Sequence, residues 1–376
     1  MNWRGSTASM TAHFHTADPT RRPADATASP GLAAETRPAQ PTGPTLTQQQ
    51  ANDVFALYSE RRYEEALQKT RALIALHHNL PLLHNLAGAI HNALGQSHQA
   101  IGCFRRAIAL QPERAEAHNN LGEALTRIGR HEDAITCLAQ ATTLKPDFSE
   151  AHHNLGVALA ALGRHREAIG SFLRATDLRP RYAAALNGLG EALLRCGEPD
   201  EAEESFRAAI VAKPDFVEAH ANLGRVLTTL GRAREGAEAC HRALALDSDH
   251  IPGFLHLASA LDWLDETYAA TACIDHVIKR QPANVDAHEV LCTILERRGR
   301  TDDLRKALSQ ARRQCGETDP RIQFRIAQQA HRDGDTATAE RFLGKLREED
   351  KAARLAKARS CLVDAIARKA GAQSID

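Results

Sequence analysis

The sequence predicts an all-α solenoid of about nine helix-turn-helix units, closed by a C-terminal capping helix. Three observations carry this. Pro112, Pro146, Pro180, Pro214 and Pro282 stand on one 34-residue ruler, with Ser248 at the missing mark. Gly95, Gly129, Gly163, Gly197, Gly231 and Gly299 keep the same register between them. On either side of each glycine, apolar residues recur at helical spacing, as in Leu121, Leu125 and Ile128, then Ile135, Leu138 and Ala141. A fixed period in this range marks a repeat array.

The unit 115–148 has Leu121-Gly122, Leu125, Ala134, Leu138, Ala141 and Pro146 as fixed points. The next unit repeats them as Leu155-Gly156, Leu159, Ala168, Phe172, Ala175 and Pro180. The central glycine ends the first helix, because it takes the left-handed conformation at low cost. The proline closes the second helix. Gly122, Gly156, Gly190 and Gly224 are expected to face Ala134, Ala168, Ala202 and Gly236, so that the two helices approach closely. One hairpin cannot bury its apolar face, so stacking is required.

The ruler cuts the chain into units 81–114, 115–148, 149–182, 183–216, 217–250, 251–284 and 285–318. Weaker copies cover 47–80 and, after one inserted residue, 320–353. Units 251–284 and 285–318 carry Ala258 and Cys292 for the paired glycine, which predicts less regular packing. Residues 354–376 read as a capping helix and short tail, apolar at Leu355, Leu362, Val363 and Ile366. Residues 1–46 are rich in Pro, Ala and Thr and read as a disordered tail.

Lys and Arg number 47, equal to Asp and Glu, so a general phosphate-binding surface is not implied and no nucleic-acid partner is expected. The run Arg297, Arg298, Arg300, Arg305, Lys306, Arg312 and Arg313 reads as a solvated end of the array. No apolar run could serve as a signal peptide or span a bilayer, so the expectation is a cytoplasmic protein without membrane contact. The eight cysteines lack close pairs and read as reduced packing residues. No phosphate loop, dinucleotide fingerprint, C-x-x-C, H-E-x-x-H or G-x-S-x-G occurs, so neither catalysis nor a cofactor is expected. His84, His118, His152, His220 and His288 share one repeat position. Successive copies would lie about 10 Å apart, too far to share a zinc ion with ligands near 2 Å.

These residues resemble the tetratricopeptide repeat (TPR) family, whose pattern is W-x2-L-G-x2-Y…A-x3-F…P. The match is best in units 115–148, 149–182 and 183–216, with histidine in place of the tryptophan. The resemblance covers roughly 47–353. It implies a right-handed superhelix whose first helices line a concave groove, and a non-enzymatic protein-protein interaction scaffold.

Asn120, Asn154 and Asn222 then share a groove-facing position, with Asn119 and Asn187 one residue earlier, as is Asn85. An amide offers a donor and an acceptor together, so the row suits the backbone of an extended peptide. It resembles the asparagine ladder in the TPR region of O-linked N-acetylglucosamine transferases. The phrases at 144–148, 212–216 and 151–156 are also similar to that family. The row is broken at Gly188 and absent at Leu86, His256 and Val290. TPR domains that clamp a terminal carboxylate carry Lys or Arg on these inner positions. Here Glu116, Asn119, Glu123, Glu150, His153, Glu191 and Glu218 stand there, and the carboxylates among them would repel one. The expected partner is therefore a neutral or basic extended segment, with Glu123 and Glu191 favouring basic side chains and Arg225 the lone inner cation. The capping helix predicts a monomer, and the Ala- and Arg-rich composition has a bacterial look. Residues 320–370 also resemble the junction region of bacterial TPR–sulfotransferase proteins. The second reading is thus a truncated or stand-alone adaptor relative of a TPR-containing sulfotransferase or glycosyltransferase.

Overall fold

The computed structural model describes residues 46–316 and 319–349. The expected tail, up to residue 45, and the capping helix at 354–376 lie outside the described residues. Among those described, all regular structure is helical. The pairs are α1 Gln48–Ser59 and α2 Tyr63–Leu76, α3 Pro81–Ala93 and α4 Ser97–Leu110, and α5 Ala115–Arg127 and α6 His131–Leu144. They continue as α7 Ser149–Ala161 and α8 His165–Leu178, α9 Ala183–Cys196 and α10 Pro199–Ala212, and α11 Val217–Thr229 and α12 Ala233–Leu246. The last are α13 Ile251–Trp263 and α14 Thr267–Arg280, α15 Val285–Arg297 and α16 Thr301–Cys315, and α17 Pro320–Arg332 and α18 Thr336–Glu349.

The periodic prolines act one residue upstream. Gln111, Lys145, Arg179 and Lys213 have φ of −146°, −140°, −143° and −144°. Proline pushes its predecessor out of the helical region, and the helix stops there. Asp247 does the same at φ −140° although Ser248 follows it. Its carboxylate accepts the Asp249 backbone N–H at 3.0 Å, and this side-chain turn stands in for the proline.

Between the two helices of a pair the chain passes through a left-handed residue. Gly129 and Gly231, for example, have φ of 78° and 80°. Arg61 and Asp265 hold the equivalent places at φ 61° and 64°, where an L-residue is strained.

Packing inside a pair differs from the expectation of small residue against small residue. A Cβ at Gly88, Gly156 or Gly190 would stand 2.5, 2.7 or 2.7 Å from the ring of Phe104, Phe172 or Phe206. At Gly122 the occupant is Leu138, at 2.5 Å. The glycine is thus a notch for a large side chain from the second helix, while Ala134, Ala168 and Ala202 are buried beside it. Only Gly224 meets its expected partner. A Cβ there would lie 2.8 Å from the Gly236 carbonyl, and Cys240 takes the place of the ring.

The recurrent histidines have one job. Nε2 of His118, His152, His220 and His288 donates to the carbonyl of Pro112, Pro146, Pro214 and Pro282, at 2.8, 3.0, 2.9 and 2.9 Å. Each ring pins the turn that leads into its own helix, which explains a polar aromatic where the repeat pattern has tryptophan.

First helices touch the first helices of the next pair, whereas each second helix packs onto the following first helix. The shorter path runs along the first helices, so they form the inner wall of a right-handed solenoid.

Candidate functional site

The inner wall is stitched by contacts reaching 35 residues along the chain. Nδ2 of Asn120 donates to Oδ1 of Asn85 at 3.1 Å, Asn154 to Asn119 at 2.9 Å, and Asn222 to Asn187 at 3.1 Å. The predicted row therefore spends part of its capacity on the next unit. Asn119 and Asn187 are buried acceptors of these rungs. What remains for a partner differs along the row. Asn154 keeps a second N–H and its carbonyl oxygen. Asn120 keeps an N–H, and its oxygen takes only a long 3.4 Å contact from Asn119. Asn222 donates a second time, to Glu191 at 2.8 Å, and keeps its oxygen alone.

The predicted carboxylates are also engaged. Glu191 accepts from Asn187 at 3.1 Å as well as from Asn222. Burial pushes the Glu123 carboxyl above the usual carboxylate range, against the opposing pull of Arg127 and Asn92. Arg225 is the reverse case. Its Nε is buried without a partner, and burial lowers its pKa, with Glu191 opposing and Arg195 adding to the fall.

The rung expected between units 149–182 and 183–216 is missing on both sides. His153 stands where Asn119 and Asn187 stand, and Gly188 where Asn154 and Asn222 do. His153 packs on the rings of Phe172 and Tyr182, at 5.7 and 5.0 Å between centroids, and its Nδ1 has no partner. Burial holds its pKa down at about 4, so the imidazole is neutral. Gly188 is required, because a Cβ would lie 2.7 Å from Phe172. An open cleft of about 600 Å³ occupies the gap.

Further along, the stitching changes to ion pairs. Arg297 reaches Asp262 at 2.7 Å and Arg298 reaches the same buried carboxylate at 2.9 Å. Arg321 reaches Asp286 at 2.6 Å, and Arg325 reaches Glu296 at 2.8 Å. The basic run read as a solvated end is therefore largely paired: Arg300 binds Asp303, and Arg305 binds Asp302 and Asp333. Sequence reading missed this because Asp262 and Asp333 lie outside the run. The period itself was the available signal, since 297 lies one 34-residue period and one residue beyond 262, the same offset as the asparagine rungs.

Among the described residues no group of three or more His, Cys, Asp or Glu side chains could hold a metal ion. Burial pushes the Cys240 and Cys292 thiols up to about 12, so neither is a ready nucleophile. No described helix is long and apolar enough to cross a membrane.

A helical-repeat solenoid with a polar inner wall is a scaffold fold. The family model for the tetratricopeptide repeat matches residues 90–147, 128–183, 153–215 and 188–251, so this stretch carries TPR repeats. No curated protein matches it. Among solved structures, a TPR protein from Parabacteroides merdae is 14% identical over 66% of this chain and 98% of its own, with a TM-score of 0.55. The type IV pilus biogenesis factor PilW is 19% identical over 56% of this chain and 98% of its own, at 0.51. A chain of the Cut9-Hcn1 hetero-tetramer is 17% identical over 64% of this chain and 48% of its own, at 0.56. At such identities the likeness is one of fold. It reaches the repeat class and does not extend to the glycosyltransferase or sulfotransferase relatives that local phrases suggested.

Proposed function

We propose that the protein is a non-enzymatic scaffold that holds an extended segment of a partner protein along its inner wall. The carrying observation is the asparagine seam. Its rungs fix Asn120, Asn154 and Asn222 in orientation, and the half-buried Asn120 and Asn154 keep unspent amide capacity. Preorganised amides bind a backbone without first losing rotamer freedom. The charge expected to favour basic segments rested on Glu123 and Glu191. Both have internal neighbours, so recognition rests on backbone pairing.

The test is capture from native lysate with the wild type and an Asn120/Asn154/Asn222→Ala variant. A circular dichroism melt verifies that the variant is folded at the capture temperature. Hydrogen exchange on the purified complex should protect α5, α7, α9 and α11. Protection confined to the second helices, or equal capture by the folded variant, sinks the reading.

A further inference from the structure

The step from unit 149–182 to unit 183–216 lacks a second contact besides the amide rung. At two other steps an arginine late in the first helix reaches back 35 residues. Arg127 donates to Oδ1 of Asn92 at 3.2 Å, and Arg297 to Asp262 at 2.7 Å. Arg195 holds that place in α9, but 35 residues back stands Ala160. The missing amide and the missing acceptor open the same cleft. Phe172, Ala160 and Gly188 line it, and so do Arg195 and Arg225. At the step into unit 251–284, where the amide pair also lapses, His256 and Trp263 stand at the corresponding positions.

Neither arginine has a hydrogen bond or ion pair among the described residues. The nearby Glu191 gives its Oε1 to two asparagines. Glu218 also lines the cleft, seven residues before Arg225 on α11, which sets it about 10 Å away along the helix axis. The cleft thus has an apolar floor, two guanidinium groups without a hydrogen bond or ion pair, the hydrogen-bonded Glu191 near them, and Glu218 farther along.

We propose that this cleft receives an acidic side chain from within the bound segment, its carboxylate held by Arg225 and Arg195 and its methylene groups resting on Phe172. The proposal builds on the peptide-groove reading above and identifies the residue class that one site selects. Guanidinium groups match a carboxylate in planar geometry. Partial burial strengthens the pairing, because Arg225 has already lost water without gaining a partner. Glu218 repels an acid placed at its own end and so sets the orientation.

The test is selection of random dodecapeptides displayed internally, with no free terminus, on the full-length protein. A parallel library with free C-termini tests the other source of a carboxylate. Internally displayed binders should carry Asp or Glu at one position. As blocked synthetic peptides they should weaken roughly tenfold to hundredfold on changing that residue to Gln or Asn. The same loss should follow Arg195→Ala/Arg225→Ala, with no further loss when both changes are combined. Arg225→Lys should restore part of the affinity. Neither arginine carries an internal hydrogen bond or ion pair, so these variants should melt close to the wild type. Binders without an acid, or with affinities indifferent to the arginines, overturn the proposal and leave the groove standing. Selection only in the free-terminus library overturns it in favour of a terminal carboxylate. Retention of no peptide in either library removes both the proposal and the groove reading.

Discussion

Two stretches of one inner wall solve the same joining problem with different chemistry. From Asn85 to Asn222 three of the four joints between units are tied by neutral amides, with Asn187 and Asn222 buried in the seam. From Asp262 to Arg332 they are tied by charges, centred on the buried Asp262 and on Glu296. Amide rungs leave donors and acceptors to spare. A carboxylate held by two arginines leaves little. The amide half is therefore the surface we propose for a partner's backbone, and the charged half is the half that closes on itself.

The largest expected effect breaks the charged half. Arg297→Met/Arg298→Met strands the Asp262 carboxylate, whose side chain is 3% exposed. The cost should be about 3–5 kcal/mol, measured by urea denaturation. Restoring either arginine should recover much of it. In the amide half, Asn187→Ala leaves Asn222 and Glu191 short of partners and should cost about 1–3 kcal/mol. A variant as stable as the wild type would mean that the rung carries no load.

Acid should separate the halves by another route. Burial holds His153 at about 4 and His256 at about 3, below the usual 6.5. For His153 the Glu150 charge opposes the fall, and for His256 Arg225 and His250 add to it. Because the unfolded chain takes up protons first, stability falls as pH drops from 6.5 and levels off once each folded value is passed. His153→Phe should flatten part of that slope between pH 6.5 and 4, by about 2 kcal/mol, in melting curves taken across the range. An unchanged slope would show that the ring is solvated.

Salt gives a smaller contrast. At about 1 M NaCl the screening length is about 3 Å. Hydrogen exchange in α13, α15 and α17 should then quicken relative to α5 and α7. Equal rates would mean that the exposed pairs contribute little, as such pairs often do. Least of all, Arg61→Gly should relieve the strained residue at φ 61° and raise stability by about 1 kcal/mol.

Local grammar was readable without coordinates. A proline stops a helix through its neighbour's backbone, and Gly129 turns the chain because it has no Cβ, so both act within a few residues. The candidate asparagines were legible by register for the same reason. Their pairing was not, because Asn119 and Asn154 meet only when two units stack at one particular offset. The role of Gly122, Gly156 and Gly190 was half legible. Their smallness showed, but the side chain filling each notch was decided by packing.

By itself, then, this sequence determined the period, the helices and the places where small residues must stand, since these follow from short-range sterics repeated many times. Only the tertiary structure decided which side chains remain unspent. Asn187 and Glu191 are consumed within the wall, while Arg195 and Arg225 are left over where Ala160, His153 and Gly188 interrupt the stitching. A polar group becomes available for binding by failing to find a partner across the stack, and that depends on contacts 35 residues away along the chain.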